Sequence, residues 1–208
     1  PESVWRPQAQ LAIGDLYADS LRDTKRAIDV YQELAEKYPK AVEVQAALQK
    51  SAQLFEDKLR PYDLAVEMHE KVVAGFPDTP ASLRAFKAIA RLQRERLSKP
   101  EDAIKTLVRL AQAHGSPDGV EALLLAADIS HRDVKDYAHQ AELLRKAAQD
   151  YSSAKEAPQA LYDAAVVYES ELQDNTKAVE VYKEVAAKFP SNRLARKSSD
   201  KVAKLGAQ

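Results

Sequence analysis

The most constraining feature of this sequence is a small residue that returns about every 38 positions. The intervals are 38, 38, 37 and 38 residues, and the positions are Gly14, Ala52, Ala90, Ala127 and Ala165. A unit of this length cannot bury its apolar face alone, so repetition at this period is typical of stacked helical pairs. The repeat therefore indicates the architecture much more directly than the function.

Other columns keep the same phase and indicate two helices, A and B, in each unit. Seventeen residues after the small residue lies a bulky column made of Tyr31, His69, Leu107, Leu144 and Tyr182. An alanine column precedes it by four residues in every unit except the fourth, which has Gln140. Steps of three and four place such residues on one helix face. We predict that helix B comes closest to helix A at the small residue.

Helix-stopping and capping residues divide the array into units. The predicted repeats span residues 7–39, 40–77, 78–115, 116–152 and 153–190. A terminal amphipathic helix over 191–205 is predicted to cap them, with its basic residues, Lys201 among them, facing outward to solvent. Thr79 before Pro80, and Ser98 shortly before Pro100, are predicted to start helices as N-caps. Because no linker or change in composition interrupts the chain, the sequence predicts one domain over residues 1–208.

Several of these segments resemble the tetratricopeptide repeat family. The sequence Q-L-A-I-G-D-L-Y at residues 10–17 resembles the family's W-x-x-L-G-x-x-Y in helix A, with Gln10 in place of tryptophan. Residues 27–39 and 178–190 resemble its helix B and closing proline, and the fourth unit departs most from the pattern. The resemblance covers essentially the whole chain. It implies an all-α, right-handed superhelical solenoid of antiparallel helix pairs, with about five repeats and a C-terminal capping helix.

The period of 38 is longer than the 34 residues usual in that family. The extra residues fall in the turn inside each pair and in the link to the next pair. Such a period, with closing sequences like K-F-P-S-N-R-L-A-R-K at residues 188–197, is similar to bacterial cell-envelope repeat proteins, including lipoproteins of the outer-membrane assembly and Tol-Pal systems. This resemblance implies a periplasmic or outer-membrane-associated protein, with a cytoplasmic location as the alternative.

Charge and composition exclude several classes of partner. The 31 basic and 32 acidic residues give a formal net charge of −1, which argues against nucleic acid as a partner. No apolar run approaches the roughly 20 residues needed to span a membrane.

Pro1 stands 13 residues before Gly14, as Pro39 stands 13 before Ala52. We therefore expect a further unit on the N-terminal side of Pro1, and stacking through that end is one expected contact.

The residues offer little for catalysis. His131 and His139 lie near Asp128, but a separation of eight residues across a helix end matches no familiar metal-ligand spacing. His69 and His114 fall in packing columns. No glycine-rich phosphate loop and no serine in a nucleophile-elbow context is present. The chain also lacks cysteine. We therefore predict that it is not an enzyme and holds no metal and no cofactor.

The resemblance implies that the A helices line a concave groove that binds a protein or peptide. Its pattern places groove residues six and three positions before the small residue and one, four and five after it. In the third unit these positions form a basic stripe, Arg84, Lys87, Arg91 and Arg94. Arginine grips carboxylates with paired hydrogen bonds, so we predict an acidic segment or a C-terminal carboxylate there. Gln49, Gln53 and Tyr162 are the predicted neighbours in the site.

Alternatives remain open at this point. The stripe residues are also explained as solvated charges that pair with Glu95, Glu101 or acidic residues of adjoining units. The favoured function is a non-catalytic scaffold or adaptor for a partner protein, within a bacterial envelope complex. The alternatives are a helical substrate-recognition arm of a larger enzyme and a self-assembling structural module.

Overall fold

A computed structural model describes residues 5–206, and within that range the chain forms helices and no strands. The helices are α1 Trp5–Asp15, α2 Thr24–Lys37, α3 Val42–Leu54, α4 Tyr62–Gly75, α5 Pro80–Glu95, α6 Pro100–Ala113, α7 Asp118–Ile129, α8 Tyr137–Asp150, α9 Ala157–Ser170, α10 Asn175–Lys188 and α11 Arg193–Leu205. Short π-helical segments, Leu16–Ser20, Phe55–Leu59 and Ser130–Val134, continue α1, α3 and α7 and are counted with those helices below. Odd numbers up to α9 are the predicted A helices, even numbers are the B helices, and α11 is the predicted cap. The predicted all-α class is confirmed.

The chain divides into two compact units after Lys99, and each unit is described by itself. The first contains α1 to α5 and the second contains α6 to α11. The prediction of one domain over residues 1–208 is not tested by this division and stays a prediction. The expectation about a repeat before Pro1 lies outside the described residues.

Within each compact unit, consecutive helices pack against each other, and the residues of the predicted small column are buried. Ala52, Ala90, Ala127 and Ala165 are buried, and Gly14 is buried against the ring of Tyr31. An ideal Cβ on Gly14 would lie only 2.3 Å from Cε1 of that ring. In the first helix pair, the small residue therefore lies at a close approach of helices A and B, as predicted from its period.

The turn between helices A and B is built in the same way in all five repeats. The second residue before each B helix has a left-handed backbone conformation, with φ between 52° and 68°, although none is glycine: Arg22, Arg60, Ser98, Lys135 and Gln173. In four repeats the next residue donates its N–H to the carbonyl six positions earlier, as Asp23 does to Tyr17 over 2.8 Å. The second repeat has Pro61 there, which lacks the N–H.

The structure corrects one predicted helix start and confirms another. Ser98 was predicted as an N-cap, but it occupies the left-handed position and α6 begins only at Pro100. Thr79 is the N-cap of α5, because its side-chain oxygen accepts a hydrogen bond from the N–H of Ser82 over 3.2 Å. Asp23, which precedes α2, likewise accepts a hydrogen bond from the N–H of Arg26.

Helix α1 carries an exposed apolar face whose equivalent in later repeats is buried. Ile13 is 49% exposed and Leu16 is 52% exposed. Their equivalents two repeats later, Ile89 and Leu92, are fully buried. The face of α1 formed by Ile13 and Leu16 is thus apolar and uncovered in the described structure.

Candidate partner-binding surface

Three of the predicted helix pairs are joined to the next A-type helix by the same polar arrangement, which we call a clasp. In a clasp, a carboxylate on helix A contacts a polar ring of the bulky column on its own helix B. It also contacts a cation on the helix that follows. The three clasps are Asp15–Tyr31–Lys50, Glu56–His69–Arg91 and Glu169–Tyr182–Lys201.

The first clasp joins α1, α2 and α3. Oδ1 of Asp15 accepts hydrogen bonds from the hydroxyl of Tyr31 and from Nζ of Lys50, both over 2.6 Å. Burial alone would raise the pKa of Asp15, but these two hydrogen bonds outweigh it and leave the pKa below its ordinary value. Burial and the bond to Asp15 raise the pKa of Tyr31. Both groups are therefore held in the protonation states that the clasp needs at neutral pH.

The second clasp uses a residue of the predicted basic stripe. Glu56 meets Nε2 of His69 over 3.1 Å through Oε1, and it accepts a hydrogen bond from Nη2 of Arg91 over 2.5 Å through Oε2. Burial acts to raise the pKa of Glu56, yet the contacts with His69 and Arg91 lower it overall. The guanidinium of Arg91 thus joins α5 to α3. This agrees with the alternative interpretation, in which stripe residues pair with acidic residues of an adjoining repeat.

The third clasp fastens the C-terminal helix. The hydroxyl of Tyr182 donates to Oε2 of Glu169 over 2.7 Å, and Nζ of Lys201 lies 2.6 Å and 2.8 Å from the two carboxylate oxygens. Burial of Glu169 opposes ionisation, but the bonds from Lys201 and Tyr182 leave its pKa lowered. The sequence predicted Lys201 as an outward, solvent-facing residue. That detail is wrong, because its ammonium reaches back to α9.

The other predicted site residues lie on α3, α5 and α9. Arg84 and Lys87 are exposed and Arg94 is half-buried on α5, where Lys87 and Arg94 already interact with other groups of the chain. On α3, Gln53 is exposed and Gln49 is half-buried. Tyr162 belongs to the second unit, where its ring centroid lies 5.4 Å from that of Tyr182 at an interplanar angle of 58°. The assignment of these seven residues to a partner site stays a prediction.

In the second unit, the predicted groove positions of two adjacent A helices meet in one depression. A cleft of about 420 Å³ lies between α7, α8 and α9, and we call it the α7–α9 cleft. Its lining includes the predicted groove residues Leu124, Asp128, His131, Val166 and Ser170. In the second unit, therefore, the A-helix surface forms a recess of the size that ligand-binding clefts have.

The first unit has a smaller recess at the equivalent place. It measures about 250 Å³ and lies between α1 and α3, where Asp19 and Gln53 contribute predicted groove positions. The clasp residues Tyr31 and Lys50 also line it. Polar side chains of the protein itself thus occupy part of the space that stays open in the α7–α9 cleft.

The histidines take structural positions. His131 contacts Oε1 of Gln140 through Nδ1 over 3.1 Å and packs against the ring of Tyr137. Within residues 5–206 no group of three or more histidine and carboxylate side chains is arranged to hold a metal ion. No helix in the same range has the length and apolar character required to cross a membrane.

Sequence reasoning missed the clasps because it assigned the carboxylates to solvated helix exteriors. A signal was present in the repeat phase. Lys50 lies two residues before Ala52, and Lys201 falls at the same phase one period after Asp163. A polar ring in the bulky column together with a cation at that phase accompanies the clasp in the first and fifth pairs.

Comparison with known proteins gives the family. Two family models, each described as tetratricopeptide repeat, match residues 8–41 and 159–192 and residues 88–155. No curated protein sequence matches the chain. Solved structures similar to it include MamA, with 17% identity over 89% of this chain and 93% of that chain and a TM-score of 0.48.

Two further similar structures are those of PilW and PilF. PilW, described as a type IV pilus biogenesis factor, has 14% identity over 97% of this chain and 91% of that chain, with a TM-score of 0.41. PilF of Pseudomonas aeruginosa has 21% identity over 97% and 89%, also with a TM-score of 0.41. The family-model matches together cover well over half of the residues. The chain belongs to the tetratricopeptide repeat family, whose repeats are protein–protein interaction scaffolds.

Proposed function

We propose that this chain is a non-catalytic adaptor that binds an extended or helical segment of a partner protein along its A helices. One observation carries the proposal: in each unit, predicted groove positions of adjacent A helices line the same recess. A surface made of rigid helices loses little conformational entropy on binding. Most of the entropic cost therefore comes from ordering the partner segment.

The use of the half-buried carboxylates supports a binding role over a catalytic one. Asp15, Glu56 and Glu169 each bind a cation and a polar ring of the protein itself, and each has a lowered pKa. A general acid or base needs a pKa near the working pH and access to a substrate. These three groups are instead ionised and engaged in joining helices.

The chemistry of the partner follows from the exposed part of the basic stripe. Arg84 and Lys87 lie one turn apart on α5, and both side chains are exposed. We therefore assign an acidic segment or a C-terminal carboxylate to the end of the stripe at Arg84 and Lys87. A place within a bacterial envelope complex is part of the same proposal and rests on the 38-residue period.

The test is affinity capture from a lysate of the source cell with three forms of the chain. The stripe variant is Arg84→Glu with Lys87→Glu, and it spares the clasp residue Arg91. The matched control carries the same charge change on B helices, Lys25→Glu with Lys71→Glu, at exposed positions. We expect partners that the native chain and the control capture and the stripe variant loses. Identical partners for all three forms would contradict the acidic-segment assignment, and an absence of any partner would contradict the adaptor function.

A second candidate is self-association through α1, which the exposed Ile13 and Leu16 favour. Since later repeats cover the equivalent residues, the same face of a second copy is a chemically suitable cover. Sedimentation velocity over a range of protein concentrations tests this. We expect the Ile13→Asp and Leu16→Asp double variant to remain monomeric where the native chain associates. A monomer at all concentrations for both forms would remove this candidate.

A further inference from the structure

The α7–α9 cleft occupies the place where the first and fifth pairs carry a clasp, but its residues invert the clasp's charges. His131 stands at the phase of the carboxylates Glu56 and Glu169. Asp163 stands at the phase of the cations Lys50 and Lys201. In the bulky column, Leu144 replaces the polar rings. Asp128 stands at the phase of Asp15 and pairs with Arg132. The polar ring and the cation found in the first and fifth pairs are therefore replaced here by Leu144 and Asp163.

Asp163 is the half-buried carboxylate of this cleft that lacks a cation; Glu171, the other lining carboxylate without an ion pair in the described residues, is exposed. Its Oδ1 accepts a hydrogen bond from Nε2 of Gln159 over 2.8 Å, and it forms no ion pair within the described part of the chain. Burial raises the pKa of Asp163, and the bond from Gln159 only partly opposes this. Arg132, on the segment Ser130–Val134 that continues α7, pairs with Asp128 over 2.6 Å. A positively charged group of a ligand would compensate Asp163 for the hydration that its carboxylate loses on burial.

The apolar residues that line the cleft are suited to contact the aliphatic part of a long basic side chain. Leu124, Leu144 and Val166 line the cleft together with Asp163. Long basic side chains place their aliphatic stems along apolar surface and keep the charged end at a polar group. The volume of about 420 Å³ is within the range of about 300–1,000 Å³ that ligand-binding clefts occupy.

We propose that the α7–α9 cleft receives a lysine side chain of the partner, with its stem against Leu124, Leu144 and Val166 and its ammonium at Asp163. This inference rests on the proposed adaptor function and names one contact of it. Lysine fits better than arginine because Gln159 already occupies one oxygen of the carboxylate. A guanidinium binds best to two free oxygens, whereas an ammonium is a point charge. An anionic occupant is disfavoured because Asp128, Asp163 and Glu171 are all part of the lining.

The first experiment measures the cleft alone, with side-chain analogues as probes. n-Butylammonium, n-butylguanidinium and n-butanol are titrated into the full ¹⁵N-labelled chain, and amide chemical shifts are followed. We expect saturable shifts for butylammonium at residues of α7, α8 and α9, with the guanidinium weaker and the alcohol weaker still. Equal shifts for the alcohol, or shifts spread over the whole surface, would overturn the proposal.

Asp163→Asn is the decisive variant because it keeps the size of the side chain and its hydrogen bond from Gln159. We expect butylammonium binding to weaken about fivefold or more, as the loss of one partly buried ion pair implies. The control is Asp150→Asn, which removes an exposed carboxylate at the end of α8 that pairs with Lys146. Unchanged binding by Asp163→Asn, or equal weakening in the control, would show that Asp163 does not hold the ammonium.

A second readout separates this inference from the adaptor function itself. Zero-length carbodiimide crosslinking joins carboxylates to lysines in direct contact, and peptide mapping identifies the pair. With partners captured by the native chain, we expect a crosslink from Asp163 to a partner lysine that Asp163→Asn abolishes. Captured partners without this crosslink would overturn the lysine contact while leaving the adaptor function standing. A chain that captures no partner at all would fail at the proposed function instead.

Discussion

Replacing Gly14 by alanine tests the close approach of α1 and α2. An added Cβ would lie 2.3 Å from Cε1 and 2.6 Å from Cδ1 of Tyr31, whereas carbon atoms in contact are about 3.5–4.0 Å apart. The ring cannot easily retreat, because it is only 1% exposed and its hydroxyl is held by Asp15 over 2.6 Å. The substitution must therefore displace either the ring or a helix.

Two opposing terms set the size of the effect. Forcing one extra carbon into a packed interior costs about 1–3 kcal/mol. Alanine in place of glycine within a helix gains about 0.5–1 kcal/mol. We expect Gly14→Ala to lower the free energy of unfolding by about 1–2 kcal/mol, and to lower the Tm by roughly 2–8 °C for a chain of this length.

Gly14→Ala should raise the free energy of unfolding instead of lowering it once the ring of Tyr31 is removed. In a Tyr31→Leu background the clash is gone, so Gly14→Ala should raise stability by about 0.5–1 kcal/mol through helix propensity alone. The fourth repeat carries this combination naturally, with Ala127 and Leu144 at the same phases. Urea unfolding followed by far-ultraviolet circular dichroism gives the four midpoints of the double-mutant cycle. Equal stabilisation by alanine in both backgrounds would refute the steric argument.

Three more predictions concern the turns, the clasps and α1. At Lys135, where φ is 61°, glycine should leave urea stability unchanged or raised, while valine should lower it by about 1–2 kcal/mol. The lowered pKa of Glu169 contributes stability that is present above the ordinary value of 4.5 and is lost as the pH falls through the folded-state pKa. Glu169→Gln should therefore flatten the acid side of the profile of unfolding midpoint against pH, and an unchanged profile would contradict the role of Lys201. Leu16→Ala should cost about 1 kcal/mol or less, whereas Leu92→Ala should cost about 2–5 kcal/mol, as chemical denaturation would show.

The period and the capping residues were enough to predict where the helices lie. Helices α2 and α10 end at Lys37 and Lys188, just before the predicted closing positions. The reason is physical, since proline removes an N–H and restricts the residue before it. The prediction failed at Ser98, because the turn requires a left-handed residue there and moves the helix start to Pro100. A capping preference is weaker than a turn that all five repeats share.

The site was harder to predict because side chains at different phases of the repeat take the same role. Asp15 lies one residue after its small residue and Glu56 lies four after its own, yet both form clasps. The sequence identified Arg91 as part of a basic stripe but could not show that Glu56 neutralises it. Which of several charges on a helix face is bound within the fold depends on distances of a few ångström, which periodicity does not supply.

The clasps also bear on how such a chain can be cut and recombined. Each one takes a carboxylate and a ring from one helix pair and a cation from the helix that follows, as Glu56 and His69 do with Arg91. A segment excised at the boundaries of a helix pair would leave a half-buried carboxylate without its cation at one junction. The smallest fragment that can be transplanted intact is therefore three helices long, A–B–A, and chimeras that respect this overlap are the ones that keep their charges paired.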